Sequence, residues 1–219
     1  MPLDNEVLDE LLTTVRRFVR ERLEPAEDEV ATEDRVPAEL IAEMRELGLF
    51  GMSVPESYGG LGLTMEEEVR VAFELGQTSP AFRSIIGTNN GIGSQGIIMA
   101  GTEAQKKNYL PRIASGELVA SFALTEPEAG SDAASLRTTA VRDGDHYVLN
   151  GTKTFITSGA RADLITTLAR TSDEPHNGLT FFVVEFYQRA FEDDFGAFAH
   201  ARHADHFPAI FTGATQELV

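Results

Sequence analysis

The hydrophobic pattern of this chain changes period once, near Gly116. Before that point apolar residues recur at three- and four-residue steps; after it they come in short β-branched or aromatic runs. From Asn5 to Leu23, the positions Val7, Leu8, Leu11, Leu12, Val15, Phe18, Val19 and Leu23 form one helical face, and Pro25 is expected to end that helix. A second helix is expected over Pro37 to Leu47, with Pro37 at its first position, Gly48 as its stop and the first helix as its packing partner. Phe50 to Leu63 (FGMSVPESYGGLGL) is too rich in glycine for regular structure and reads as a loop with tight backbone approaches. Thr64 and Glu67 carry a capping-box signature for a helix running to Gly76. Ser79-Pro80 starts another, interrupted by Gly87, Gly91, Gly93 and Gly96, where the glycines imply either close helix packing or room for a substrate. Thr102 caps a short amphipathic helix expected to end near Leu110-Pro111.

Strands are expected at Val119 to Leu124, Leu136 to Arg142, His146 to Leu149, Lys153 to Ile156, Leu164 to Arg170 and Leu179 to Val184. Tight turns are expected at Asp143 to Asp145 (DGD) and at Asn150-Gly151. Helices first and strands second predict an α+β fold, or two adjacent domains, with a boundary near Gly116.

At 219 residues, with 42% apolar and 24% charged residues, the chain can bury a sizeable core. Its net charge of −17 argues against nucleic acid and anionic membranes as partners, because both attract a positive field. The lack of cysteine excludes disulfides, thiolate catalysis and cysteine-ligated metals. The start MPLDNEVLDE has no signal-peptide pattern and no run of about 18 uncharged apolar residues occurs, so a cytoplasmic protein is expected.

Thr125 to Asp132 (TEPEAGSD) follows an apolar strand and combines a proline, a glycine, hydroxyls and carboxylates. Its hydroxyls, exposed amides and lack of a nearby lysine or arginine suit a flavin's carbonyls or a pyrophosphate, although an ordinary polar loop has the same composition. The run FALTEPEAGSD resembles the flavin-binding signature of the acyl-CoA dehydrogenase family. So do VPESYGGLG (Val54 to Gly62), GTEAQKKNYLP (Gly101 to Pro111) and LNGTKTFITSGARAD (Leu149 to Asp163), in the family's order and within about residues 5 to 185. The resemblance implies an N-terminal helical domain at 1–116 and a β-barrel-like antiparallel domain, incomplete, at 117–185, with a divergent tail at 186–219. It implies FAD as cofactor, α,β-desaturation of an acyl-CoA thioester, an electron-transfer flavoprotein as acceptor, and homo-oligomers in complete members.

By the same resemblance, Phe122, Leu124 and Thr125 line the isoalloxazine, Ser131 meets the pyrophosphate, and Gly130 lies beside the acyl-CoA path. Phe155, Ile156 and Thr157 match the second flavin segment, with Thr157 next to flavin N5; phenylalanine stands where the family usually has tryptophan, which keeps the aromatic wall and drops the indole donor. Ser131 and Arg83 are candidate substrate contacts, Arg83 because the glutaryl-CoA branch uses an arginine in this region for a distal carboxylate. Its usual serine companion is replaced by Gly87, so an ordinary inter-helix or surface arginine is the competing reading.

No catalytic base carries over, since the family's glutamate belongs to a C-terminal helical domain, and Thr212 falls where some members keep it. The likeness stops at Glu185. A frameshifted tail, an internal deletion and a natural short paralogue all fit Phe186 to Val219, and an inactive binding module or another flavin-dependent oxidase or monooxygenase are the alternative functions. His200, His203, Asp205 and His206 spread around a helix and suit a solvated surface better than a metal site, so no metal is expected. Without a helical bundle over the β domain an apolar face is exposed, so the isolated chain is expected to self-associate. Size-exclusion chromatography checks this; a monodisperse monomer contradicts it.

Overall fold

The computed structural model describes residues 2–144, 146–174 and 178–185. The chain forms two compact units, Met1–Gly91 with Lys106–Glu117, and Ile92–Gln105 with the chain from Leu118 onward.

In the first unit, α1 (Asn5–Phe18) opens on Asp4, whose carboxylate accepts from the Glu6 amide at 2.8 Å. Pro25 does not end this segment. The chain continues through a π-helical turn at Val19–Leu23 and a 3-10 turn at Glu24–Ala26 into α2 (Glu27–Glu33). Proline sits in the first positions of the 3-10 turn, where a missing N–H is tolerated. The sequence of α2, EDEVATE, buries only Val30, so no apolar stripe announces it. α3 (Ala38–Glu46) follows with Pro37 at its N-cap, one place before the expected position, and Gly48 adopts φ 71° just past its end.

α1 pairs closely with α4 (Met65–Leu75). Arg16 and Glu74 bridge α1 to α4 at 2.5 Å, Arg70 and Asp9 at 3.2 Å, and the Leu3 amide donates to Glu67 at 2.6 Å. α3 joins the same core through Leu40 and Met44, and Glu43 pairs with Arg22. The capping box forms as expected: the Glu67 amide donates to Thr64 Oγ1 while the Glu67 carboxylate accepts from the Thr64 amide at 2.6 Å. The glycine-rich loop makes the close approaches its composition implies, because a Cβ on Gly60 would stand 2.0 Å from the Val54 carbonyl oxygen. α5 (Pro80–Asn90) starts on Ser79 and gives way at Gly91 to α6 (Ile92–Ala100). α7 (Glu103–Ala114) begins in a reciprocal Thr102–Gln105 cap and runs through Pro111 instead of ending there, with Ser115 N–H donating to the Pro111 carbonyl at 3.0 Å.

The second unit is built on β4 (Leu164–Arg170), a strand buried from Leu164 to Ala169 without alternation, as expected of a strand covered on both faces. β5 (Leu179–Glu185) pairs antiparallel along all of it. β1 (Ala120–Ala123) runs parallel to its first half, from Ala120↔Leu164 to Ala123↔Thr167. β2 (Thr139–Asp143) meets its end in parallel at Thr139↔Arg170 and forms an antiparallel hairpin with β3 (His146–Asn150). The five-stranded sheet is therefore mixed, where an antiparallel one was expected. The cause is the long excursion between β1 and β4, since parallel neighbours need such a crossover. Lys153 to Ile156 is not a strand and Asn150-Gly151 does not turn a hairpin; the chain leaves β3 for an irregular segment. α6 lies on the sheet, with the Thr166 hydroxyl donating to the Gly93 carbonyl at 3.1 Å. A Cβ on Gly96 would come 3.2 Å from Thr166 Cγ2, so close packing explains this glycine.

Among the described residues no helix is long and apolar enough to cross a membrane. Replacing Thr64 by alanine removes one half of the α4 cap and should lower unfolding free energy by about 1 kcal/mol, measured by urea denaturation, whereas serine should be near neutral.

Candidate functional site

The loop after β1 is shaped by a buried carboxylate. Glu126 N–H donates to the Ala129 carbonyl at 2.8 Å and the Ala129 N–H returns a bond to Glu126 at 3.2 Å, which leaves Pro127 and Glu128 exposed at the tip. The Glu126 side chain points inward, where it accepts from Arg137 N–H at 2.7 Å, Thr138 N–H at 2.9 Å and the Lys153 ammonium at 2.9 Å. Lys153 also donates to the Leu124 carbonyl at 2.9 Å. The side chains of this ion pair are only 10% (Lys153) and 3% (Glu126) exposed. Burial pushes the Glu126 carboxyl up, but hydrogen bonds from Thr138, Arg137 and Lys153 outweigh it and hold the group below the usual carboxylate range. Burial pushes the Lys153 ammonium down, with Glu126 opposing. On the far side of the loop, Arg170 at the end of β4 donates to the carbonyls of Leu136 at 3.1 Å and Ala134 at 2.6 Å.

A second segment lies against this loop. Thr154 N–H donates to the Thr125 carbonyl at 2.9 Å, and the Ser121 hydroxyl donates to the Thr157 carbonyl at 2.5 Å. Ile156 is packed on Ala123, Ala162 and Ile165. Phe155, by contrast, has φ 56° and is 86% exposed. A bulky residue in the left-handed region is unusual, and such strain gathers at functional sites.

The backbone of the β1 exit thus lies beside the Phe155–Thr157 segment, while the Leu124 side chain packs in a separate cluster with Ala129, Leu136, Leu168 and Phe181. An added Gly130 Cβ would be 3.7 Å from Thr125, so loop and strand end touch there. Phe122 is half-buried with its ring 5.9 Å from that of Phe181, while Thr157 and Ser131 are exposed. The hydroxyls of Thr125, Ser131 and Thr157 have no hydrogen-bond partner among the described residues. Two expectations about the loop need correction: the Glu126 amide is engaged, not exposed, and a lysine lies beside the loop. That lysine is paired with Glu126, so the corner offers hydroxyl donors and an exposed aromatic ring, with Glu128 exposed at the loop tip. This donor set fits a planar ring with carbonyl edges and an apolar body.

Arg83 is exposed on α5 of the first unit. Its guanidinium lies over Gly87, where a Cβ would be 2.2 Å from Nη1, and it stabilises the charge of Glu68, whose carboxyl burial pushes up. Among the described residues no three potential ligands gather as a metal site; His200, His203, His206 and Thr212 lie outside the described residues. Sequence reasoning missed Ser121, Glu126, Lys153 and Arg170 as the residues that shape the corner. Glu126 and Lys153 each carry a signal, as lone charges beside apolar runs, but nothing local pairs them.

Residues 5–117 match the N-terminal domain of acyl-CoA dehydrogenases and residues 121–196 match their middle domain. The chain belongs to the acyl-CoA dehydrogenase family. The middle-domain match runs to residue 196, beyond Glu185, where the motif likeness stops. An acyl-CoA dehydrogenase of Bacillus subtilis is 41% identical over 172 residues, covering 78% of this chain and 45% of the relative. A structure described for the electron transferring flavoprotein of Acidaminococcus fermentans superposes with a TM-score of 0.78 at 34% identity, over 85% of this chain and 49% of the other. A glutaryl-CoA dehydrogenase from Mycobacterium smegmatis in complex with FADH2 gives 0.73 at 37% identity, over 84% and 46%. The chain therefore spans about half the length of these relatives.

Glu126→Gln leaves Lys153 buried without a counter-charge and should lose about 3 kcal/mol near neutral pH. The folded carboxyl titrates below its unfolded value of about 4.3, so its contribution is fully present above that pH and is lost as pH falls through the folded pKa. Denaturation of both proteins across this range should show the two stability curves converging in acid; curves that stay parallel contradict the assignment.

Proposed function

We propose that this chain is the flavin-binding part of an FAD-dependent acyl-CoA dehydrogenase, an oxidoreductase that desaturates an acyl-CoA thioester between its α and β carbons. The observation that carries the reading is the backbone bond from Thr154 to Thr125, which sets the Thr125 loop beside the segment bearing Thr157 and the exposed, positive-φ Phe155. Family membership and the FADH2 complex of a relative support it. When bound, FAD supplies a two-electron acceptor for the CH–CH bond.

Phe122, Leu124 and Thr125 flank the ring from the β1 side and Phe155, Ile156 and Thr157 from the other. Gly130 allows a close approach by the cofactor, and the Ser131 hydroxyl serves the pyrophosphate and the incoming acyl-CoA. Arg83 is the residue for a distal substrate carboxylate. Residues 1–116 act as the helical domain, 117–185 as the flavin-side part of the middle domain and 186–219 as a divergent tail. An electron-transfer flavoprotein as acceptor, a homo-oligomer for the complete fold and a cytoplasmic location belong to the same proposal. No residue is assigned as base.

Titrating the purified chain with FAD should produce a bound, yellow-absorbing species that survives gel filtration. Ser131→Ala and Thr157→Ala should each weaken it by about tenfold, the loss of one hydrogen bond to an otherwise buried acceptor. A chain that retains no flavin absorbance at saturating FAD contradicts the reading.

A further inference from the structure

One buried ion pair ties down both segments that meet at the candidate site. Lys153 Nζ bonds the Leu124 carbonyl, next to Thr125, and the Glu126 carboxylate, each at 2.9 Å. Glu126 in turn holds the amides of Arg137 and Thr138 at the return of the loop. Lys153 lies just before Thr154, whose amide donates to the Thr125 carbonyl at 2.9 Å, and two residues before Phe155. A side-chain link and a backbone link therefore join the same two stretches of chain within four residues of Phe155 and Thr157. Stability alone does not call for charge at this place, because well-packed apolar residues commonly serve as well as a buried ion pair. What the pair supplies is direction: an ammonium and a carboxylate, both desolvated, accept only a narrow set of distances.

We propose that Lys153 and Glu126 are positioning residues that set the spacing between the Leu124–Thr125 edge and the Phe155–Thr157 segment. The consequence for a cofactor rests on the flavin reading above. A planar ring gripped from two segments is sensitive to their separation, so a shift of either changes its affinity and its electronic surroundings. Neither side chain touches the ring in this account, and neither takes part in proton or hydride movement.

The test compares the 219-residue chain with Lys153→Met, which keeps the aliphatic stem, and with Glu126→Gln/Lys153→Met, which leaves no buried charge. Far-UV circular dichroism and thermal melting report the fold, FAD titration the affinity, and visible circular dichroism the surroundings of the bound ring. Amide exchange at Thr154 is followed without flavin. Lys153→Met should weaken FAD binding by about tenfold or more and alter the visible spectrum. The double variant should regain much of the lost melting temperature without regaining the affinity or the spectrum, and Thr154 should exchange faster in both. If Lys153→Met does not fold, the double variant carries the comparison. Recovery of affinity and spectrum together with stability overturns the proposal, as does Thr154 exchange that stays at the wild-type rate. Should the wild-type chain bind no FAD while Thr154 exchange still accelerates in the variants, the flavin reading fails and the spacing role stands.

Discussion

The Glu126 carboxylate is the constraint on which the candidate site depends. A carboxylate this deeply buried is tolerated only when its oxygens are saturated, and here two backbone amides and an ammonium do so. Satisfying it forces three pieces of chain to converge: the exit of β1, the entry to β2 and the irregular segment after β3. Backbone bonds at Thr125–Thr154, Glu126–Ala129 and Thr138–Arg170 hold the pieces locally, and the carboxylate ties them to one another. With the return of the loop fixed at Arg137 and Thr138, and Arg170 holding the carbonyls of Ala134 and Leu136, the stretch bearing Gly130 and Ser131 is anchored at both ends.

The sheet makes this convergence possible. β4 accepts β1 on its first half and β2 at its last residue, so the ends of those strands lie along one edge of a single buried strand. The loop between β1 and β2 must bridge that short gap, and it folds inward around Glu126 to do so. α6 covers the same region, brought close by Gly96 and the Thr166–Gly93 hydrogen bond. A rigid strand thus sets the site, while the exposed groups, Phe155 and the hydroxyls, are carried on loops.

What was legible in the sequence is what is locally determined. Thr64 and Glu67 satisfy one another across a single helical turn, and the apolar run Leu164 to Arg170 needs no partner to be recognised as a strand. The flavin-type motifs were legible as words, and the structure places Thr125 and Thr154 in direct backbone contact. The misses have physical causes. Pro25 and Pro111 read as helix ends because a proline lacks the donor, yet both sit where the helical path is held by neighbouring turns and packing. The parallel pairing of β1 with β4 is a tertiary choice invisible in strand composition. Glu126 read as part of a ligand loop and Lys153 as the start of a strand, 27 positions apart, and only the fold pairs them and removes both from water.

If Glu126 organises the corner as an ionised group, its own titration is the most direct witness. Carbon-13 NMR of the glutamate side-chain carboxyls, followed from neutral pH into acid, reports each group separately. The Glu126 carboxyl should remain ionised below the value of about 4.3 of a glutamate in an unstructured peptide, and protonate only at lower pH or on unfolding. A Glu126 resonance that titrates at or above the value of an unstructured glutamate, about 4.3, with the chain still folded, would contradict it.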